Sequence, residues 1–306
     1  MTLESHPARP PASLRILLEN LVDYAGLFPP AKLTMQSAVE NFKTYCDSEH
    51  AWMLGRFIVP ASRLDEFAAA FQLLLTADAG PTWRLSVLIG PDIATDLAAV
   101  HSFNRRFSAG EGVLVDAVEL KAQTPGDIRN AAQLVPPVLQ TFFEIPISQS
   151  LRENIAAISE VRMCPKVRTG GETAAFFPST ESLVEFFAAC ISRKLCFKAT
   201  AGLHHPVRSS HRFTYEPDSP SGAMHGFLNV FLAASFMLYG MDASAATGCI
   251  NEQSADSFHF TGANVSWRNH TLSNAQLRHA RQSFCLSFGS CSFSEPLDDL
   301  RSLRLL

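Results

Sequence analysis

Long apolar runs are missing from this chain of 306 residues. The nearest approach to the ~18 residues that a membrane-spanning helix needs, Gly226 to Tyr239, is interrupted by Asn229 and Ser235, so no membrane partner is expected. The first residues carry His6, Arg9 and three prolines in place of the apolar segment of a secretion signal, and the sequence reads as that of a cytoplasmic protein. Basic excess is missing too: 25 Lys and Arg stand against 29 Asp and Glu, which excludes the electrostatic footprint of a nucleic-acid binder. There is no CxxC pair. The seven cysteines are odd in number and scattered, which predicts reduced thiols packed as small hydrophobes, with Cys164 and Cys196 in strands, and argues against a structural zinc cluster. Charge is scarce, at 18% against the ~25% usual for globular proteins, while hydrophobic residues reach 47%. Such a chain is equipped to bury a large core.

What is present is a regular alternation of short strands and amphipathic helices. After a lead-in helix from Ser13, a first strand runs from Leu21 to Phe28 and stops at Pro29-Pro30. Thr34 caps a helix from Met35 to Tyr45, in which Met35, Ala38, Val39 and Phe42 make one apolar stripe. Strands follow at Leu54 to Val59, Trp83 to Ile89 (announced by Pro81), Val113 to Lys121, Thr141 to Ile147, Met163 to Thr169 and Leu195 to Ala201. Helices separate them: Arg63 to Leu75, Asp92 to Phe107, one opening at Thr124-Pro125, Leu151 to Val161, and one capped by Ser179 or Thr180 that ends near Ser192. Seven βα units predict one domain, a parallel (β/α)₈ TIM barrel with the N-terminal helix as an addition. The open doubly wound sheet is the rival, but Tyr24-Ala-Gly-Leu-Phe-Pro29 lacks its GxGxxG turn.

The pattern then breaks. Residues 203–225 form a long loop with four of the ten histidines in or beside it (His204, His205, His211, His225), and loops of that length are commonly lids or binding loops. An apolar helix from Phe227 to about Met241 reads as core. Residues 243–283 are expected to be an insertion between strands seven and eight, containing a hairpin from Phe258 to Trp267, and Phe284 to Phe288 is the eighth strand. Ser294 is the expected N-cap of a last helix, with Pro296 in its first turn.

Strand parity then indicates which polar groups share the lumen. Val113, Val115, Ala117, Glu119 and Lys121 fall on one face of strand four, Lys166 and Arg168 on one face of strand six, and Lys198 and Thr200 on one face of strand seven; Glu144 ends strand five. These charges all lie in the C-terminal halves of their strands, the end at which barrel enzymes place catalysis. A lysine held among other cations in a partly dry mouth has a lowered pKa, and its neutral amine can attack a carbonyl to form a Schiff base. Lys166 and Lys198 suit that role, with Glu119, or failing it Glu144, moving protons.

Met163-Cys-Pro-Lys166-Val-Arg-Thr-Gly170-Gly resembles the strand-six lysine motif of class I aldolases of the deoxyribose-phosphate aldolase type. Cys196-Phe-Lys198-Ala-Thr-Ala-Gly-Leu203 resembles their strand-seven motif, and Gly289-Ser-Cys-Ser292 the segment with which they hold a phosphate. The resemblance implies Lys166 as the Schiff-base lysine and Lys198 as the neighbour that lowers its pKa. Arg168, the Glu119-Leu-Lys121 segment and the histidine loop depart from that pattern.

The expectation is an aldolase-like lyase that needs no cofactor and acts on a small polar carbonyl substrate, neutral or anionic. Lys121, Glu144, Arg168, Thr200, His204 and His205 would bind it, and Gly289, Ser290 and Ser292 would offer N–H groups and hydroxyls to a phosphate. One alternative is a divalent metal held by Glu119, Glu144 and His204 or His205 in a hydrolase or metal-dependent lyase. Another is a barrel that binds a ligand without catalysis.

Overall fold

The computed structural model describes residues 10–74, 82–107 and 112–306; Leu75 and Pro81 of the expected boundaries, and His6 and Arg9, lie outside them. Helix α1 (Ala12–Leu18) leads into β1 (Val22–Tyr24), which is followed by α2 (Met35–Cys46), β2 (Leu54–Pro60), α3 (Leu64–Gln72), β3 (Trp83–Leu88) and α4 (Ile93–Phe107). The alternation continues through β4 (Val113–Lys121), α5 (Pro125–Ala132), β5 (Gln140–Glu144), α6 (Leu151–Glu160), β6 (Cys164–Arg168), α7 (Thr180–Ser192) and β7 (Phe197–Thr200). Beyond it lie the hairpin β8 (Ser209–Arg212) and β9 (Ser221–Met224), helices α8 (Phe227–Leu238) and α9 (Ala243–Ile250), and the sheet β10 (Phe258–Phe260), β11 (Asn264–Trp267) and β12 (His270–Ser273). Helix α10 (Asn274–Ser283) returns the chain to β13 (Cys285–Ser290), and α11 (Ser294–Ser302) ends it.

Strands β1 to β7 and β13 pair in parallel and close on themselves, with β13 between β7 and β1. The chain is therefore an α/β protein of the TIM-barrel type. Local chemistry sets the helix starts. Thr34, Thr124 and Ser179 each accept a main-chain N–H three residues on, and Thr124 with Asp127 forms a full capping box. Between the barrel and its outer helices lie interlocked aromatic rings: Phe42, Phe57, Phe67, Phe71 and Trp83 on one side, Phe186, Phe187, Phe197, Phe231 and Phe284 on the other. Helix α8 is buried at every position from Phe227 to Met237 because it packs on β13 from one side and on α9, α10 and β12 from the others. That placement explains why it is apolar all round.

The eighth barrel strand and the hairpin from Phe258 to Trp267 fall where the sequence places them, and the hairpin gains β12 as a third strand. Several local expectations are corrected. The first strand is short, because a turn in which Phe28 N–H donates to Ala25 O follows it at once. Residues 203–225 are not a plain loop but hold the antiparallel β8–β9 pair. Helix α11 has Phe293 at its N-cap, and Ser292 rather than Ser294 supplies the oxygen that accepts Glu295 N–H. Cys164 and Cys196 are not free thiols: neighbouring strands bring them together and they form a disulfide. The helical stretch Ala174–Ser192, apolar and long enough to span a bilayer by composition, is interrupted by extended backbone at Phe177, so that its continuous part is α7.

The β4 face also differs. Leu85 of β3 opposes Val115 while the next residue, Ser86, opposes Ala117, so Asp116 is an extra residue in a bulge. Simple alternation fails there: Val113 and Val115 lie on the other side of that extra residue from Ala117, Glu119 and Lys121, which keep the lumen register.

Candidate active site

Lys166 and Lys198 are register partners on β6 and β7, so parallel pairing sets their side chains side by side within the barrel. Lys166 Nζ lies 2.6 Å from Glu119 Oε2 and 2.8 Å from Glu144 Oε2. Lys198 Nζ lies 2.5 Å from Glu119 Oε1 and 2.6 Å from Asp23 Oδ2. Arg168 Nη2 extends the row, 2.9 Å from Glu144 Oε1. Anion and cation thus alternate from Asp23 through Lys198, Glu119, Lys166 and Glu144 to Arg168. The row climbs from the sealed interior toward solvent: side-chain exposure is 0% at Lys198, 4% at Lys166 and 37% at Arg168.

Hydroxyl and amide donors complete the deep end. Ser86 Oγ donates to Glu119 Oε1 at 2.6 Å, Ser287 Oγ to Asp23 Oδ2 at 2.8 Å, and the Arg56 main-chain N–H to Asp23 Oδ1 at 2.6 Å. Buried charge is tolerated here because every ion meets an opposite one. Burial alone would raise the pKa of Glu119, but the Lys166 and Lys198 ammonium groups hold it well below the usual carboxylate range. Glu144 is lowered in the same way, burial being outweighed by Lys166 and Arg168. Burial would lower the pKa of Lys166, but Glu119 and Glu144 raise it. The expectation of a lysine with a lowered pKa is therefore corrected for the resting site: the nearest neighbours of Lys166 are two carboxylates, and Lys198 reaches it only through Glu119.

Above the row opens a cavity of about 570 Å³ at the C-terminal ends of the strands, lined by Glu119, Lys121, Glu144, Lys166, Arg168, Thr200, His204 and Gly289 among others. Lys121, the register partner of Glu144, is exposed there, and no carboxylate among the described residues lies within ion-pair distance of it. Phe28, Phe176 and Phe213 supply apolar wall. Lys198 is sealed beneath this cavity and does not line it.

The histidines of the long loop divide. His204 lines the cavity, and its Nδ1 sits 3.0 Å from Glu295 Oε2 and 4.0 Å from Cys291 Sγ. Burial disfavours its charged form, but the contacts with Cys291 and Glu295 prevail and push its pKa up to about 10, so that it stands as an imidazolium at neutral pH. His205 is turned away, 2.6 Å from Asp299 Oδ2 and stacked on His211 with centroids 3.3 Å apart. Ser290 and Ser292 spend their hydroxyls on the turn into α11, since Ser290 Oγ accepts Ser292 N–H and Ser292 Oγ accepts Glu295 N–H. Of the expected phosphate-holding segment, Gly289 alone among those three reaches the cavity.

Among the described residues no three or more His, Cys, Asp and Glu side chains gather as a metal donor set. The Glu119, Glu144 and His204 grouping is not assembled: the two carboxylates converge on Lys166, and His204 is held by Glu295. Sequence reasoning missed Asp23, Ser86 and Ser287 at the base, and Glu295, Cys291 and Tyr215 beside His204; Tyr215 OH donates to Glu295 Oε2 at 3.1 Å. A faint signal existed for Asp23, a lone carboxylate inside the otherwise apolar run Leu21 to Tyr24. Compared with known proteins, the sequence matches no family model and no curated protein.

Proposed function

We propose that the barrel mouth is the active site of a lyase acting on a small polar carbonyl compound, and that Lys166 supplies the amine for a Schiff base, as in the class I aldolases its motif resembles. The observation that carries this reading is the position of Lys166 Nζ, between two carboxylates at 2.6 and 2.8 Å, in the wall of the cavity. At rest this amine is an ammonium and is not nucleophilic, so a proton must leave before attack. Glu119 is a poor acceptor because Lys198 and Ser86 also hold it as an anion. Glu144 is the better one, nearer the cavity and less buried, and it takes the place of Glu119 as the proton shuttle. The free amine then adds to the carbonyl carbon, and one amine proton passes to the carbonyl oxygen to give a carbinolamine. Glu144 returns the proton it took to that hydroxyl, so that the C–O bond breaks, water leaves and a protonated Schiff base remains. Arg168 and His204 are paired with Glu144 and Glu295, whereas Lys121 has no carboxylate within ion-pair distance among the described residues, and its free ammonium favours a substrate that carries an anionic group.

Reductive trapping tests this. The protein is treated with a panel of aldehydes and ketones and cyanoborohydride, and the adduct is mapped by peptide mass spectrometry. An adduct on Lys166, absent from Lys166→Met, is expected. Labelling confined to surface lysines, or turnover of an identified substrate that survives both Lys166→Ala and Lys198→Ala, overturns the reading.

A further inference from the structure

The opposite end of the barrel holds a second cavity, of about 410 Å³, bordered by the N-terminal ends of the strands, by α1 and by the end of α10. Its walls carry Arg56 and Arg84 from β2 and β3, Arg278 and Arg281 from α10, and the polar side chains of Gln140 and Ser287. Arg56 and Arg84 share one carboxylate: Asp116 lies 2.6 Å from Arg56 Nε and 2.5 Å from Arg84 Nη2. The bulge in β4 is what places Asp116 between them.

Arg281 has no such partner. Only 7% exposed, it donates to three main-chain carbonyls, those of Leu17, Glu19 and Cys285, and no carboxylate among the described residues lies within ion-pair distance of it. Arg278, exposed at the rim, has none either. The other acid at the wall, Glu19, is exposed. A guanidinium removed from water without a counter-ion is costly, and carbonyl oxygens offset only part of that cost because they carry no net charge. Burial accordingly pushes the pKa of Arg281 down.

We infer that this cavity is a binding site for a small polyanion bearing two oxyanion groups, phosphate or carboxylate, one facing the Arg56 and Arg84 side and the other the Arg278 and Arg281 side. Arg278 can turn its fork to one such group, while Arg56 and Arg84, whose Nε and Nη2 atoms face Asp116, keep Nη1 for the other. The volume lies in the ~300–1,000 Å³ range of small-molecule sites. The site lies at the other end of the strands from Lys166 and does not depend on the chemistry proposed there.

Calorimetric titration of the full chain at constant ionic strength, with inorganic pyrophosphate and separately with citrate, tests the inference. Saturable binding of at least one is expected. Binding of pyrophosphate alone assigns the site to phosphates, and of citrate alone to carboxylates. Arg278→Ala and Arg84→Gln alter exposed side chains; each should weaken binding by about tenfold or more, the loss expected for a hydrogen-bonded charge. Lys121→Gln, at the other mouth, should leave it unchanged. Absence of binding by both probes overturns the inference, as does binding that survives both arginine changes or is lost in Lys121→Gln.

Discussion

Replacing Lys198 by methionine probes the ion row where it is most deeply buried. The change keeps much of the side-chain volume but removes the cation that bridges Asp23 at 2.6 Å and Glu119 at 2.5 Å. Asp23 would keep the Ser287 hydroxyl and the Arg56 amide, and Glu119 would keep Lys166 and Ser86. Breaking a buried pair from one side costs about 3–5 kcal/mol, because the stranded partner stays desolvated. At roughly 2 °C per kcal/mol for a chain of this length, the melting temperature should fall by about 6–10 °C at pH 7. The pH dependence gives a second reading. In the wild type Glu119 has a depressed pKa, so its stabilising contribution is fully present above the unfolded carboxylate range and is lost progressively as pH falls from that range through the depressed value. In the variant, the pKa of Glu119 rises, and protonation relieves the stranded charge. The gap in melting temperature between the two proteins should therefore narrow from pH 7 to pH 5. Differential scanning calorimetry across that range measures it. A drop under about 2 °C, or a gap that widens on acidification, would refute the account of Lys198 as the shared counter-ion.

Two further perturbations bear on the mouth. Glu295→Gln weakens one of the two contacts, Cys291 being the other, that raise the His204 pKa; a pKa raised to about 10 stabilises the fold below the unfolded histidine value, and that benefit is lost as pH rises toward 10. The wild type should exceed the variant by about 1.5–3 kcal/mol near pH 6, with the difference fading by pH 10, as followed by urea unfolding. Gly170→Ala places a Cβ 2.6 Å from Gly202 Cα, where main chain meets main chain between the exits of β6 and β7. It should cost about 1–3 kcal/mol and reduce trapping at Lys166, whereas Gly126→Ala, whose Cβ meets nothing nearer than 3.5 Å, should leave trapping unchanged.

The periodicity of apolar residues, the proline and glycine stops and the capping residues sufficed for an α/β barrel, because each βα unit is specified by contacts close along the chain. Lys166, Arg168, Lys198 and Thr200 were legible for the same reason: they sit on short uninterrupted strands where parity holds. Parity gave no warning of the bulge at Asp116, since an extra residue in a strand depends on its neighbour's register. Nor did it tell which charges would meet. Asp23 and Glu119 are 96 positions apart in sequence yet share Lys198, a contact that exists only once β13 and β1 close the ring. The protonation state of Lys166 was decided at that level too, because an ionisable group responds to whichever charges lie within a few ångströms, and the fold put carboxylates there.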